Sequence, residues 1–145
     1  MKTVAELLKT KPDQVVHTIA PDATVLDAVT KMAVHSIGAL PVADGTRVVG
    51  IITERDYARK IILKQRASAT TLVSDVMTRS VIYVQPSDTN QDCMALMTQR
   101  RLRHLPVMAN DQLIGLISIG DLVKDIIAEQ QFIIDQLERY ITGTH

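Results

Sequence analysis

Apolar positions fall into short β-branched runs and into helical repeats, and the same succession occurs twice. Val15 to Ile19, Ala39 to Ala43 and Val48 to Thr53 read as strands. Between the first two, Val25, Ala28, Val29, Met32 and Ala33 recur at helical spacing. Thr24 and Asp27 form the expected capping box of that helix, and Gly38 marks its exit. Asp44-Gly45 is a hairpin signal, and Glu54 to Lys64 is a helix with Tyr57, Ala58, Ile61 and Ile62 on one side. A short amphipathic helix, Val4 to Leu8, precedes this strand-helix-strand-strand-helix unit. After the polar linker Arg66 to Thr71 the order resumes. A short element at Val73 to Met77 leads to a strand at Val81 to Val84, and Thr89 and Asp92 cap a helix that ends near Arg100. A second hairpin, His104 to Met108 and Leu113 to Ser118, turns at Asn110-Asp111, and Asp121 opens the last helix.

The two halves align without a gap from Val15 to Ile61 at a constant offset: Pro21/Pro86, Thr24/Thr89, Asp27/Asp92, Met32/Met97 and Gly50/Gly115 are identical pairs. Before that the offset is larger, so the first half carries four extra residues around Lys11 to Gln14 (Val4/Val73 against Val16/Val81). The densest match is Gly50-Ile51-Ile52-Thr53-Glu54-Arg55-Asp56 with Gly115-Leu116-Ile117-Ser118-Ile119-Gly120-Asp121, each preceded by Leu-Pro-Val (Leu40 to Val42, Leu105 to Val107). This is a buried strand ending in a hydroxyl that caps a helix, with a carboxylate three residues on. It serves equally as a capping box and as a ligand site, where a hydroxyl, a carboxylate and helix-start N–H groups suit a ribose phosphate. Two such small halves are each marginal alone and are expected to pack sheet against sheet around a shared core.

The chain has 145 residues, 46% apolar and 22% charged, the composition of a globular domain with a sizeable core. Basic and acidic residues balance at 16 each and aromatics are 3%, which argues against a nucleic-acid surface. One cysteine, Cys93, permits no internal disulfide and falls on the apolar side of a helix, a core position. The first residues have no signal-peptide core and no run is long enough to span a membrane, so a soluble cytoplasmic protein is expected. His17, His35, His104 and His145 show no metal-ligand spacing, and no phosphate-binding glycine loop is present. The basic cluster Arg100 to His104 reads as a solvated helix end or a phosphate contact, as do Arg55 and Arg59. The last helix stays apolar through Ile133, Ile134, Leu137 and Ile141, beyond what one core needs.

The repeated Leu-Pro-Val triplets and Gly-x-x-[Thr/Ser]-x-x-Asp stretches, in order and at one spacing, resemble those of tandem CBS-domain proteins, named after cystathionine β-synthase, whose paired motifs form a Bateman module. The resemblance covers roughly Val4 to Ile127. It implies an α/β (α+β) fold of two β-α-β-β-α motifs, residues 1–71 and 72–145, packed through their sheets with pseudo-two-fold symmetry. It also implies an adenosine ligand (AMP, ADP, ATP or NAD) in the cleft between motifs. In that pattern Asp56 with Thr53 works with Tyr83, Leu102, Arg103 and His104, and Asp121 with Ser118 works with Thr18, Ile37, Gly38 and Ala39. The lysine that some relatives place before the glycine is absent, the positions being Val49 and Ile114. Arg103-His104 against Gly38-Ala39 makes the two sites unequal, with the Asp56 site more dependent on phosphate charge. If His104 titrates near neutrality, the Asp56 site weakens as pH rises. The expectation is a non-enzymatic, homodimeric nucleotide sensor that signals to a partner protein. The alternative is a structural dimerisation module with empty sites. For an enzyme, no nucleophile, metal set or activated base accompanies the acid–hydroxyl pairs.

Overall fold

The computed structural model describes residues 2–143; Met1, Thr144 and His145, the last of the four histidines, lie outside the described residues. Two antiparallel hairpins form the sheets: β1 (Ala39–Asp44) with β2 (Arg47–Thr53), and β3 (His104–Ala109) with β4 (Gln112–Ser118). The pairing is the same in both, Val42 opposite Gly50 and Val107 opposite Gly115, with a register shift directly after Val42 and Val107. That shift makes Val49 and Ile114 the extra residues of matching bulges. The second hairpin turns through Asn110 and Asp111, both at positive φ, as a two-residue loop of the twist-matched kind requires. In the first the loop is Gly45-Thr46, one residue later than the Asp44-Gly45 signal, with Gly45 at φ 64°.

The predicted strands at Val15 to Ile19 and Val81 to Val84 shrink to one parallel bridge each, Ile19 with Val42 and Val84 with Val107. Ile19 donates to the Pro41 carbonyl at 3.1 Å and accepts from Ala43 at 2.9 Å, and Val84 repeats this with Pro106 and Met108. The next rung would need an N–H from Pro41 or Pro106, which proline lacks, so the ladder stops.

Among the described residues six α-helices complete the fold: α1 (Val4–Lys9), α2 (Val25–His35), α3 (Glu54–Tyr57), α4 (Val73–Val76), α5 (Asn90–Arg100) and α6 (Ile119–Thr142). The helix expected from Glu54 to Lys64 is α-helical for one turn and π-helical from Ala58 to Ile62. Thr24 and Thr89 cap α2 and α5 with capping boxes to Asp27 and Asp92. Both helices end in a left-handed residue, Ser36 and Arg101, so the exit of α2 is Ser36 rather than Gly38.

Instead of one shared core there are two buried clusters, and the short helices exchange between them. Val73, Val76 and Met77 lie in the cluster of α2, β1 and β2, while Val4 and Leu7 lie in that of α5, β3 and β4. This exchange accounts for the repeated glycines. A Cβ on Gly50 would sit 2.6 Å from Met77 Sδ, and one on Gly115 would sit 2.5 Å from Leu8 Cδ2. Cys93 is buried in the second cluster, and burial pushes its thiol up to about 11, so it is an inert packing residue.

Candidate functional site

Strand β2 delivers Thr53 to the end of the first sheet in extended conformation, and the chain turns there into α3. Thr53 Oγ1 accepts the Asp56 N–H at 3.1 Å, and Asp56 Oδ2 accepts the Thr53 N–H at 3.0 Å. The other carboxylate oxygen, Oδ1, accepts from Lys60 Nζ at 3.1 Å and from the Thr78 hydroxyl at 3.3 Å. Asp56 is thus a buried anion, with one oxygen in the capping box and the other facing the second motif. Thr78 is placed by its own backbone, which exchanges hydrogen bonds of 2.8 and 2.9 Å with Ile51.

A cleft of about 540 Å³ opens beside Asp56. Five arginines line it (Arg55, Arg59, Arg100, Arg101 and Arg103) against two carboxylates, Glu54 and Asp56. Among the described residues none of the five is in an ion pair. The Arg55 guanidinium reaches across to the Arg101 carbonyl at 3.3 Å. The helix-start N–H groups expected for a phosphate are partly consumed within the protein. Glu54 donates to the Gly38 carbonyl at 3.0 Å and Asp56 to its own cap. The groups here with the chemistry to pair an anion are therefore the guanidiniums.

Of the residues assigned to the Asp56 site, Thr53, Leu102, Arg103 and His104 line this cleft. Tyr83 does not; it lines a separate depression with Thr46, Arg47 and Met108. Its neighbour Ile82 takes the inner position, since alternate residues of an extended segment face opposite ways. Gly38, assigned to the other site, lines this cleft as well: a Cβ there would meet the His104 ring at 3.2 Å and Glu54 Oε1 at 3.1 Å. Burial, opposed by Asp121 and reinforced by Lys11 and Arg103, lowers the His104 pKa below its ordinary value. His104 is accordingly neutral at pH 7, and the expected weakening of the Asp56 site as pH rises through neutrality loses its basis. Thr78 and Ser80 had no signal in the linear motif; their place follows from the exchange of α4 into the first motif.

The second strand end repeats the capping box: Ser118 Oγ accepts the Asp121 N–H at 3.2 Å and Asp121 Oδ2 accepts the Ser118 N–H at 2.8 Å. Ile119 donates to the Arg103 carbonyl at 2.9 Å, as Glu54 does to Gly38. The surroundings differ. Lys11 Nζ lies 3.1 Å from Asp121 Oδ2 and 2.7 Å from the Leu116 carbonyl. Of the residues assigned beside Asp121, Ala39 is buried, Ile37 packs on the first core, and the Thr18 carbonyl is held by Lys31. Near the same segment Asp13, His17 and His35 come together, although their sequence spacing showed no ligand pattern.

The family model for the CBS domain matches residues 4–63 and 73–128, nearly all of the chain's two halves. The chain is a tandem CBS-domain protein. It is similar to a signal-transduction protein with CBS domains from Burkholderia ambifaria MC40-6, with a TM-score of 0.86, 53% identity, and coverage of 89% of this chain and 96% of that one. The mitochondrial CBS domain-containing protein CBSX3 of Arabidopsis thaliana is 43% identical over 127 residues, 84% of this chain, and the chain spans 62% of that protein's length. A crystal structure of CBSX2 in complex with AMP superposes with a TM-score of 0.74 at 26% identity, covering 90% of this chain and 99% of that one. The two-motif α+β architecture is therefore that of the tandem CBS fold.

Proposed function

We propose that the cleft at Asp56 binds an adenosine nucleotide, with AMP the leading candidate, and that the module is a sensor rather than an enzyme. The carrying observation is one cleft lined by a buried carboxylate and by five arginines without an ion-pair partner among the described residues, two beside Asp56 and three from the second motif. Guanidinium groups pair with phosphate bidentately, and a carboxylate accepts ribose hydroxyls in strong charge-assisted bonds. A relative captured with AMP supports the ligand class. The absence of the lysine before Gly50 and Gly115 favours a monophosphate over a triphosphate. Ribose hydroxyls at Asp56 Oδ1 compete with the Thr78 hydroxyl, and Thr78 follows directly on α4, so occupancy is felt where the two motifs exchange elements. Titration of AMP into the protein with thermal-shift readout tests this. At a hundred times the dissociation constant a ligand adds about 2.7 kcal/mol, roughly 5–11 °C for a chain of this size. No shift with AMP, ADP, ATP or NAD at millimolar concentration favours the structural dimerisation module instead.

The listener side of the sensor is α6. Its first turns bury Leu122 and Asp125, but Ile127, Phe132, Ile133, Ile134, Leu137, Tyr140 and Ile141 are all exposed. An apolar stripe of this length on a free helix fits a second copy of the chain or a regulated partner. Truncation after Ala128 leaves both motifs intact and is expected to reduce the mass seen by light scattering to that of a monomer. An unchanged oligomer removes α6 from the interface.

Among the described residues no helix is long and apolar enough to cross a membrane. The cytoplasm remains the proposed compartment on the basis of the single buried cysteine.

A further inference from the structure

The constant offset between the halves gives each lining residue of the Asp56 cleft a counterpart around Asp121. Ile82 and Arg100 line the first cleft. Their counterparts are His17 and His35, so the second cleft carries two imidazoles where the first carries an alkyl chain and a guanidinium. The four extra residues of the first half add Asp13. His17 Nε2 lies 2.7 Å from Asp13 Oδ2, and the His17 and His35 rings stack with centroids 3.7 Å apart and planes 19° from parallel. One ligand atom from each of the three residues lies within 4.8 Å of the others.

We propose that Asp13, His17 and His35 form a binding site for a divalent transition metal of the zinc class, beside the segment that carries Lys11 to Asp121. Two nitrogens and one carboxylate oxygen are the donor set that zinc takes when one position stays open. Bonds of about 2.0–2.1 Å in a tetrahedron put ligand atoms roughly 3.3 Å apart. The present separations bracket that value, 2.7 Å for the closest pair and 4.8 Å as the upper bound, so rotamer adjustment closes the set. Asp13 and His35 are exposed, which leaves an approach for the ion and a position for water. The proton now shared between His17 Nε2 and Asp13 occupies the place of the metal, and binding displaces it. Because Asp13 lies in the inserted segment with Lys11, while His17 follows it in the repeat and His35 ends α2, the ion would clip that segment to the first motif and hold Lys11 over Asp121.

The test is titration of chelator-stripped full-length protein with zinc chloride by calorimetry, repeated with cobalt(II) chloride followed by visible absorbance. The expected result is one equivalent bound, with the intense d–d bands of a tetrahedral cobalt site. His17→Ala and His35→Ala are each expected to weaken binding more than tenfold, His35→Cys to retain it, and His104→Ala to leave it unchanged. Circular dichroism melts check that the variants fold, and histidine ring resonances followed during zinc addition to the unmodified protein give a readout without mutation. Shifts confined to His17 and His35 support the site. No saturable binding, ring signals that do not move, or binding that survives His17→Ala with His35→Ala overturns it. The proposal does not depend on nucleotide binding at Asp56, and a failed AMP titration leaves this test intact.

Discussion

At Asp56 and at Asp121 the chain builds the same strand end, the same capping box and the same backbone bond from the residue after the cap to the residue just before the hairpin of its own motif. Their surroundings part company in the backbone and in the lysine that each carboxylate meets: Lys60, which pairs with Asp56, has Asp125 as its counterpart. At the first end the Ile51 main chain is paired by the Thr78 main chain, and a short hydroxyl reaches the carboxylate. At the second end the corresponding carbonyl, that of Leu116, is taken by the side chain of Lys11, which also reaches Asp121. Four extra residues replace a backbone bridge with a long cation. Each carboxylate meets one lysine at 3.1 Å, Lys60 at Asp56 and Lys11 at Asp121, but the cleft lined by five arginines opens beside Asp56. A duplicated motif thus supplies two similar strand ends, and the connecting segments give each its own surroundings.

The comparison is broken most directly at the carboxylates. Asp56→Asn is expected to weaken AMP by about ten- to a hundred-fold, the loss of one charged hydrogen bond of roughly 1.5–3 kcal/mol. Asp121→Asn is expected to leave the same titration unchanged, because the arginine-lined cleft opens beside Asp56 and does not include Asp121. Equal losses in calorimetry show that both clefts bind. Arg103→Gly, which installs the residue found at its counterpart Gly38, comes next: AMP weakens by about three- to tenfold, as expected for a solvent-exposed contact, and adenosine is unaffected. Equal loss of both ligands assigns Arg103 to the base rather than the phosphate.

Lys11→Ala sharpens the comparison from the other side. It frees Asp121 and is expected to raise AMP stoichiometry from one to two per chain, with a weaker second event. The lost ion pair is half-exposed and contributes about 0.5–1 kcal/mol, so the melting temperature without ligand falls by roughly 1–4 °C. A stoichiometry that stays at one means that Lys11 is not what closes the second cleft.

The smallest effect belongs to His104, which sits where the two clefts approach each other. Its folded pKa lies below the ordinary 6.5 because burial disfavours the imidazolium. Stability from the neutral ring is therefore fully present above that ordinary value and is lost as pH falls through the lowered folded value. His104→Gln cannot charge and is expected to flatten the acid side of a melting-temperature profile. A variant profile parallel to the parent shows that the ring contributes nothing there.

The sequence by itself determined the duplication, the two hairpins, the capping boxes and the family. These rest on short-range chemistry: a hydroxyl and a carboxylate three residues apart close on each other wherever a strand runs into a helix, and β-branched runs bounded by turn residues pair locally. Most of the Asp56 lining was legible for the same reason, since Thr53, Leu102, Arg103 and His104 sit at motif positions. The misplaced residues depended on contacts between distant segments. Tyr83 gave way to Ile82 because the facing of an extended segment held by a single bridge cannot be read from its composition. Gly38 passed to the Asp56 cleft because His104 packs on it. The four-residue insertion was visible from the first alignment, but its consequence was not. Only tertiary structure decided that Lys11 lands on Asp121, more than a hundred residues away in the chain, and that Asp13, His17 and His35 meet, because ion pairs and ligand sets are made by proximity in space and carry no periodicity along the chain.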